Sequence, residues 1–415
     1  MNILWVKAGG LVPPDSGGKI RSYNILRELA CQHSITFFSF YAAHENDSHP
    51  DLKNIFDRVV CMPLVLPASK SRSEMLDYAV RFFSSQPYGI TKYCRREVRQ
   101  SLSGLLKQEQ YDVIICDFLM PAGVLPWDCS TPKVIFTHNV EAMIWRRHYD
   151  VAASPIWKAI SWWEWRKMEA AERRYLRLAD RVLTVSETDR DSFASFLEAA
   201  KLAVIPTGVD VDYFQPMPVE EVPDSLVFTG SMDWLPNEDG IFYFVETVLP
   251  LIRQQCPQVS LEVVGRNPSR KLQALAETEK SLHLTGWVED IRRFLARSAV
   301  CIVPLRIGGG TRLKIFEAMA MGKPVVSTTI GAEGLPVQSG KNILFADTPQ
   351  DFAASVLSLL RDSNQRRQLG TAARTLVEEN YSWRKVAETF SRVLEEVVAH
   401  SITHGEISVN PSGAL

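Results

Sequence analysis

The feature that most limits the fold of this chain is an alternation kept up along almost its whole length. Short apolar runs take turns with longer stretches of helical period. Runs at 2–6, 34–38, 58–62, 112–116, 133–137, 181–185 and 203–205 read as strands of a first half, with helical intervals such as 18–32 and 188–197 between them. The scheme repeats at 225–229, 261–264, 282–284, 300–304, 324–327 and 343–345. Alternation of this kind predicts an α/β protein with helices layered on parallel sheets. A chain of 415 residues exceeds one ordinary core. The break falls at 206–223, where Pro206, Pro216, Pro218, Pro223 and several acids make a linker-like segment. The expected arrangement is two doubly wound, Rossmann-like domains, 1–205 and 206–381, facing across a cleft, with ligands at the carboxyl ends of the strands.

Composition narrows the function classes. A net charge of −2 provides no global basic field, so nucleic acid is not an expected partner. Hydrophobic content of 46% with 23% charged residues is that of a globular enzyme. The seven cysteines are scattered singly with no Cys-x-x-Cys pair, which suggests reduced, partly buried thiols. The first residues make a short strand without a basic leader, and no apolar segment is long enough to span a bilayer. The expectation is a cytoplasmic protein.

The chemistry concentrates at Gly308-Gly309-Gly310-Thr311-Arg312-Leu313-Lys314-Ile315-Phe316-Glu317. An apolar strand runs into a glycine-rich turn and then directly into a helix. Glycines leave backbone N–H groups uncovered, and a helix start adds unpaired donors and partial positive charge. Such a corner suits an anion, and Arg312 and Lys314 add full positive charge. Glu317 would aim a carboxylate at the same place, suited to sugar hydroxyls, so phosphate and sugar together suggest a sugar nucleotide. A second glycine-rich loop, 9–18, follows the first strand and opens the first helix at Gly17, Gly18 and Lys19. It is not Gly-x-Gly-x-x-Gly, which disfavours a nicotinamide cofactor. His138 ends the strand at 133–137, where it could accept a hydrogen bond from a sugar hydroxyl or handle an acceptor proton. A lone histidine is more often structural. Glu141 is either a capping acid or an acceptor contact.

These motifs resemble glycosyltransferase family 4, of GT-B architecture, and the resemblance runs from Gly17-Gly18 to Tyr381-Ser382-Trp383. It implies a retaining, metal-independent hexosyltransferase-type enzyme. The donor is then a nucleoside-diphosphate sugar and the acceptor a hydroxyl of a glycan or lipid-linked molecule, in bacterial exopolysaccharide or cell-envelope synthesis. It places the catalytic machinery at His138, Arg312, Lys314 and Glu317. Donor contacts fall to Gly17, Gly18, Gly230, Arg266, Val288 and the segment Gly308, Gly309, Gly310 and Thr311, and acceptor contacts to Lys19 and Glu141. No cofactor is expected. Asp210-Val211-Asp212 looks like a metal-chelating Asp-x-Asp, but it matches the interdomain Gly-Val-Asp of the family. The resemblance also sends a last helix, about 382–400, back onto the first domain, and the turn-forming, polar character of 401–415 predicts a loose tail.

The pattern departs from the family in two places. Many members carry two glutamates seven residues apart, and here the first position is Gly309. The usual arginine and lysine after the first strand of the second domain are absent from 231–239, and Arg312 and Lys314 would replace their charge. Two alternatives remain open: a sugar-nucleotide epimerase on the same architecture, and a non-catalytic nucleotide-binding homologue. Finally, 70–83 and 157–178 interleave basic and aromatic residues. They suggest peripheral contact with a membrane, at the inner face of the plasma membrane. Tryptophans at helical spacing are more often packing residues, and Glu164, Glu169 and Glu172 dilute the charge.

Overall fold

The structure, a computed structural model, describes residues 1–43, 49–68, 71–152, 154–307 and 312–407. Gly308, Gly309, Gly310, Thr311, Lys70 and residues 408–415 lie outside the described residues. The chain divides into two compact units, residues 1–206 with 387–415, and residues 207–386.

The first unit is built on a seven-stranded parallel sheet: β1 (Asn2–Ala8), β2 (Ser34–Ala42), β3 (Arg58–Leu64), β4 (Val113–Asp117), β5 (Lys133–Phe136), β6 (Arg181–Thr184) and β7 (Leu202–Val204). Their spatial order is β3-β2-β1-β4-β5-β6-β7. The second unit holds six parallel strands: β8 (Ser225–Thr229), β9 (Ser260–Val264), β10 (Leu282–Gly286), β11 (Val300–Val303), β12 (Val325–Ser327) and β13 (Leu344–Phe345). These are ordered β10-β9-β8-β11-β12-β13. Every residue of β4, β8 and β11 is buried. That is the condition of strands covered by helices on both faces, and it explains their unbroken apolar runs. In each sheet the strand order reverses beside the first strand, between β1 and β4 and between β8 and β11. Doubly wound folds open their binding crevices at these points.

Seven helices carry or flank the functional side chains: α1 (Gly17–Leu29), α2 (Arg72–Arg81), α3 (Glu141–Val151), α4 (Pro155–Leu178), α5 (Leu235–Tyr243), α6 (Leu313–Ala320) and α7 (Trp383–Ile407). Helix α1 buries Arg21, Ser22, Ile25, Leu26 and Leu29, a face with i, i+3/i+4 spacing laid on the sheet. Helix α7 continues beyond the expected end, so 401–407 is helical rather than loose. The reason is local: nothing after Trp383 forces a stop, and the first proline is Pro411. From Ala387 onward this helix belongs to the first unit, where Phe390 stacks on Trp5 at 5.6 Å and meets Phe136 edge-on at 5.2 Å. Each such fully buried aromatic contributes about 1.5–3 kcal/mol through the area it removes from water. Among the described residues no helix is long and apolar enough to cross a membrane.

Candidate active site

In the first unit, chemistry gathers where β1 and β4 part. Lys7, near the end of β1, is almost completely buried and donates to Asp117 Oδ2 at 2.8 Å and to Ser22 Oγ at 3.3 Å. Trp5 Nε1 donates to the same carboxylate oxygen at 3.0 Å. The other oxygen, Asp117 Oδ1, lies 2.8 Å from His138 Nε2, and His138 Nδ1 lies 3.1 Å from an Arg21 guanidinium nitrogen. Arginine can only donate, so Nδ1 is the acceptor and the imidazole proton sits on Nε2, pointing at Asp117. Burial presses the His138 pKa down to about 3, against the pull of Asp117. Burial would raise the Asp117 carboxyl, but Lys7 and His138 outweigh it and hold it well below the usual range. Arg21 is lowered by burial to about 10 and stays charged at neutral pH.

His138 therefore differs from the sequence expectation. Both ring nitrogens are occupied by protein groups and the ring is neutral. In this arrangement it offers no lone pair to a sugar hydroxyl and no proton to an acceptor. One face of the ring is covered by Phe118, stacked at 3.8 Å and nearly parallel. Phe118 has φ +66°, an unusual conformation for a bulky residue that costs on the order of 1–3 kcal/mol. Gly18 is glycine for a related reason: a Cβ there would stand 2.6 Å from the tip of the Phe118 ring. On the other side of Phe118 opens a cavity of about 280 Å³ lined by Lys7, Gly9, Gly10, Ser16, Gly18 and Lys19. Gly17 starts α1 at its edge, where the Ser16 side chain makes no cap, so the first amides of the helix are left for another acceptor. Lys19 pairs loosely with Asp15 at 3.4 Å.

Behind Phe118 and His138 a narrow crevice is lined by Thr137, Glu141 and Glu172. Helix α3 has Val140 at its N-cap, which offers no side-chain acceptor. Glu172 of α4 supplies one instead, accepting the Ala142 N–H at 3.2 Å. Burial raises Glu172 to about 8 and Glu141 to about 7. Sequence reasoning found His138 and Glu141 but missed Asp117, Lys7, Arg21, Phe118 and Glu172. A lysine inside an apolar strand and an acid closing one were the available signals.

In the second unit the corner forms around β8 and α6. Lys314 Nζ reaches Asn237 Oδ1 of α5 at 2.7 Å and lies 3.9 Å from the centre of the Phe228 ring. Its approach requires Gly230, which has φ +151° and whose absent Cβ would sit 2.7 Å from that nitrogen. Gly265 is needed in turn, because a Cβ there would overlap the Gly230 carbonyl oxygen. Removal from water lowers Lys314 to about 7, with Cys301 and Glu317 opposing and Arg312 adding to the drop. Burial likewise raises Glu317 to about 7, and Lys314 opposes that shift. Arg312 caps α6 with φ +54° and donates to the Ile330 carbonyl at 2.9 Å and, at 3.4 Å, to Glu333. Arg266 is exposed and donates to Ser231 Oγ at 3.2 Å. Val288 is partly buried against the apolar core, beside an exposed Trp287. The structure thus brings Gly230, Lys314 and Glu317 to one corner with Asn237, which the sequence reading missed. Asp210 of the Asp-x-Asp accepts the Tyr213 N–H at 2.9 Å, closing a turn.

Residues 16–213 match the family described as Glycosyltransferase Family 4, and residues 223–362 match Glycosyl transferases group 1. Among curated proteins, the chain is 28% identical over 264 residues to an MMP alpha-(1->4)-mannosyltransferase of Mycolicibacterium hassiacum, spanning 61% of this chain and 63% of that protein. Among solved structures, sucrose-phosphate synthase of Thermosynechococcus elongatus superposes with TM-score 0.69 at 17% identity, covering 96% of this chain and 100% of that one. Anabaena HepE, in complex with UDP and glucose, superposes with TM-score 0.62 at 15% identity, covering 95% and 99%. With two doubly wound parallel sheets in the order found here, the chain belongs to glycosyltransferase family 4 and is a glycosyltransferase of the GT-B type.

Proposed function

We propose that this glycosyltransferase moves a sugar from a nucleoside diphosphate to a hydroxyl of a glycan or lipid-linked acceptor. In this reading the anomeric configuration is retained, no metal is bound, and the product enters an exopolysaccharide or another part of a bacterial envelope. The observation that carries the reading is Lys314. An ammonium group withdrawn from water is held at the strand-order reversal of the second sheet, beside a glycine that leaves room above it. A leaving diphosphate placed there would meet a cation whose charge is poorly solvated, where electrostatic stabilisation is strongest. Arg312 adds to the field while its guanidinium stays engaged with Ile330 and Glu333. Glu317 would take a ribose hydroxyl, and Gly308–Thr311 would lend amides to the phosphates.

In the first unit, the free amides of α1 at Gly17 and Gly18 and the Lys19 ammonium face a cavity with room for one sugar or phosphate group. His138 acts in this reading through position, fixing Phe118 as one wall of that cavity. The mannosyltransferase relative and the UDP-bound structure support a nucleotide-sugar donor. Seven cysteines without a disulfide support a cytoplasmic setting.

The test is thermal unfolding with UDP, GDP, ADP, dTDP and CDP, with and without EDTA. A diphosphate at one hundred times its dissociation constant adds about 2.7 kcal/mol of stability. A selective, EDTA-insensitive shift with one of them is expected. No shift with any of them removes the donor site from this corner.

A further inference from the structure

Helix α2 is turned inside out. Met75, Leu76 and Val80, with Phe83 just beyond, are 70–87% exposed, Leu76, Val80 and Phe83 at i, i+4, i+7 spacing on one face. The polar side of the same helix faces the protein. Arg81 donates to Asp77 at 3.1 Å and to the Thr91 carbonyl at 2.9 Å, and Tyr78 donates to Glu164 of α4 at 3.2 Å. No residue of α2 is fully buried. Its polar groups tether it and its apolar groups are presented outward, the reverse of a helix that stabilises a core. The apolar surface continues onto α4: Phe83 packs on Phe82, Phe82 on Trp163 and Trp163 on Trp162, with ring centres 5.2–6.2 Å apart. Ile156, Trp157 and Trp162 of α4 are themselves exposed.

The charge around this strip is more basic than the sequence suggests. Glu164 and Glu172, which dilute the basic residues of α4 on paper, are both buried, Glu164 paired with the buried Lys167. What reaches solvent from α3 and α4 is Arg146, Arg147, Lys158, Arg166, Arg173, Arg174 and Arg177, set against Asp150 and Glu169. Lys158 and Arg166 flank Trp162 four residues to either side, on one helical face.

We propose that the α2 and α4 surface docks this protein on an anionic phospholipid bilayer, with Met75, Leu76, Val80 and Phe83 inserted at the interface and the arginines and lysines of α3 and α4 on the head groups. Apolar residues beside a basic face are the pattern of an interfacial anchor. Each basic residue near such a surface adds about fivefold to partitioning. A second copy of the chain is a poor occupant, because it would bring the same cationic face against this one. Docking of this kind is independent of the transfer chemistry.

Full-length protein should sediment with vesicles of equal parts phosphatidylglycerol and phosphatidylcholine, but not with phosphatidylcholine alone, and should be released by high salt. The double substitution Lys158→Ala with Arg166→Ala should lower partitioning roughly 30-fold. Leu76→Glu with Phe83→Glu should abolish it. All four positions are on the surface, so thermal unfolding of each variant should match the parent within a degree or two. Absence of sedimentation with anionic vesicles, or equal sedimentation of the glutamate variant, overturns the proposal. So does a dimer in light scattering that dissociates with Leu76→Glu and Phe83→Glu, which would assign the strip to a second copy.

Discussion

Lys314 offers a quantitative test of the donor corner. With its pKa lowered to about 7 by loss of hydration, only about one tenth of the side chain is protonated at pH 8 and about one hundredth at pH 9. A bound diphosphate restores the charged form, because an anion within hydrogen-bonding reach favours the ammonium. Above pH 7 the diphosphate itself is already fully ionised, its last proton leaving near pH 6. Binding must then take up close to one proton at pH 8, and the apparent dissociation constant must rise about fiftyfold between pH 7 and pH 9, approaching tenfold per unit above pH 8. Titration calorimetry of the preferred nucleoside diphosphate, run in buffers of different ionisation enthalpy, reads the proton count directly. In Lys314→Met the affinity should fall and the slope above pH 7 should flatten. Glu317 titrates in the same range, so Glu317→Gln is the necessary control and should keep most of the slope. A pH-independent affinity for the parent, or an unchanged slope in Lys314→Met, rules out a diphosphate seated on this ammonium.

Other consequences can be checked more simply. Gly18→Ala drives a Cβ into the Phe118 ring, so transfer should fall at least tenfold, and adding Phe118→Ala should recover part of it, a coupling readable by a double-mutant cycle. Asp117→Asn leaves Lys7 buried without its carboxylate and should cost about 3–5 kcal/mol in denaturant unfolding. Glu172 is raised to about 8 in the folded chain, so its stabilising proton is held fully below the unfolded carboxyl pKa of 4.5 and lost as pH rises through about 8. Glu172→Gln should therefore show a smaller fall in melting temperature between pH 5 and pH 9 than the parent. Gly265→Ala forces the Gly230 loop to move and should abolish diphosphate binding while the first unit keeps its stability.

Much of the fold is legible in the sequence because its strands are short, apolar and buried on both faces, so β4 announces itself in Val113-Ile114-Ile115-Cys116 whatever lies around it. The proline-rich stretch at 206–223 also stands out, since prolines cannot serve inside either element, although from Thr207 onward it belongs with the second unit. The donor corner is legible as a local string, with Lys314 and Glu317 within four residues of each other. The centre of the first unit is not. Lys7, Asp117, His138 and Arg21 meet across sequence separations of 110, 21 and 117, and nothing local in His138 reveals that both its nitrogens are taken. Helix α2 is legible only in part: its mix of basic and apolar residues marks it in the sequence as a surface candidate. That Tyr78 and Arg81 tether it by its polar side, leaving the apolar side outward, depends on Glu164 and Thr91, which local sequence does not reveal. Glu164 and Glu172 count as surface charge on paper until the structure buries them.

The decisive experiment follows one purified sugar nucleotide at a time by NMR, with protein and a simple glycan or lipid-linked acceptor. It reads nucleoside diphosphate release and the anomeric configuration of the product together. If Lys314 holds the leaving diphosphate of a retaining transfer, one sugar nucleotide is consumed and an α-linked donor gives an α-linked product. EDTA then changes nothing, and Lys314→Met stops the release. A sugar altered while still attached to its nucleotide, or release that survives in Lys314→Met, contradicts that role.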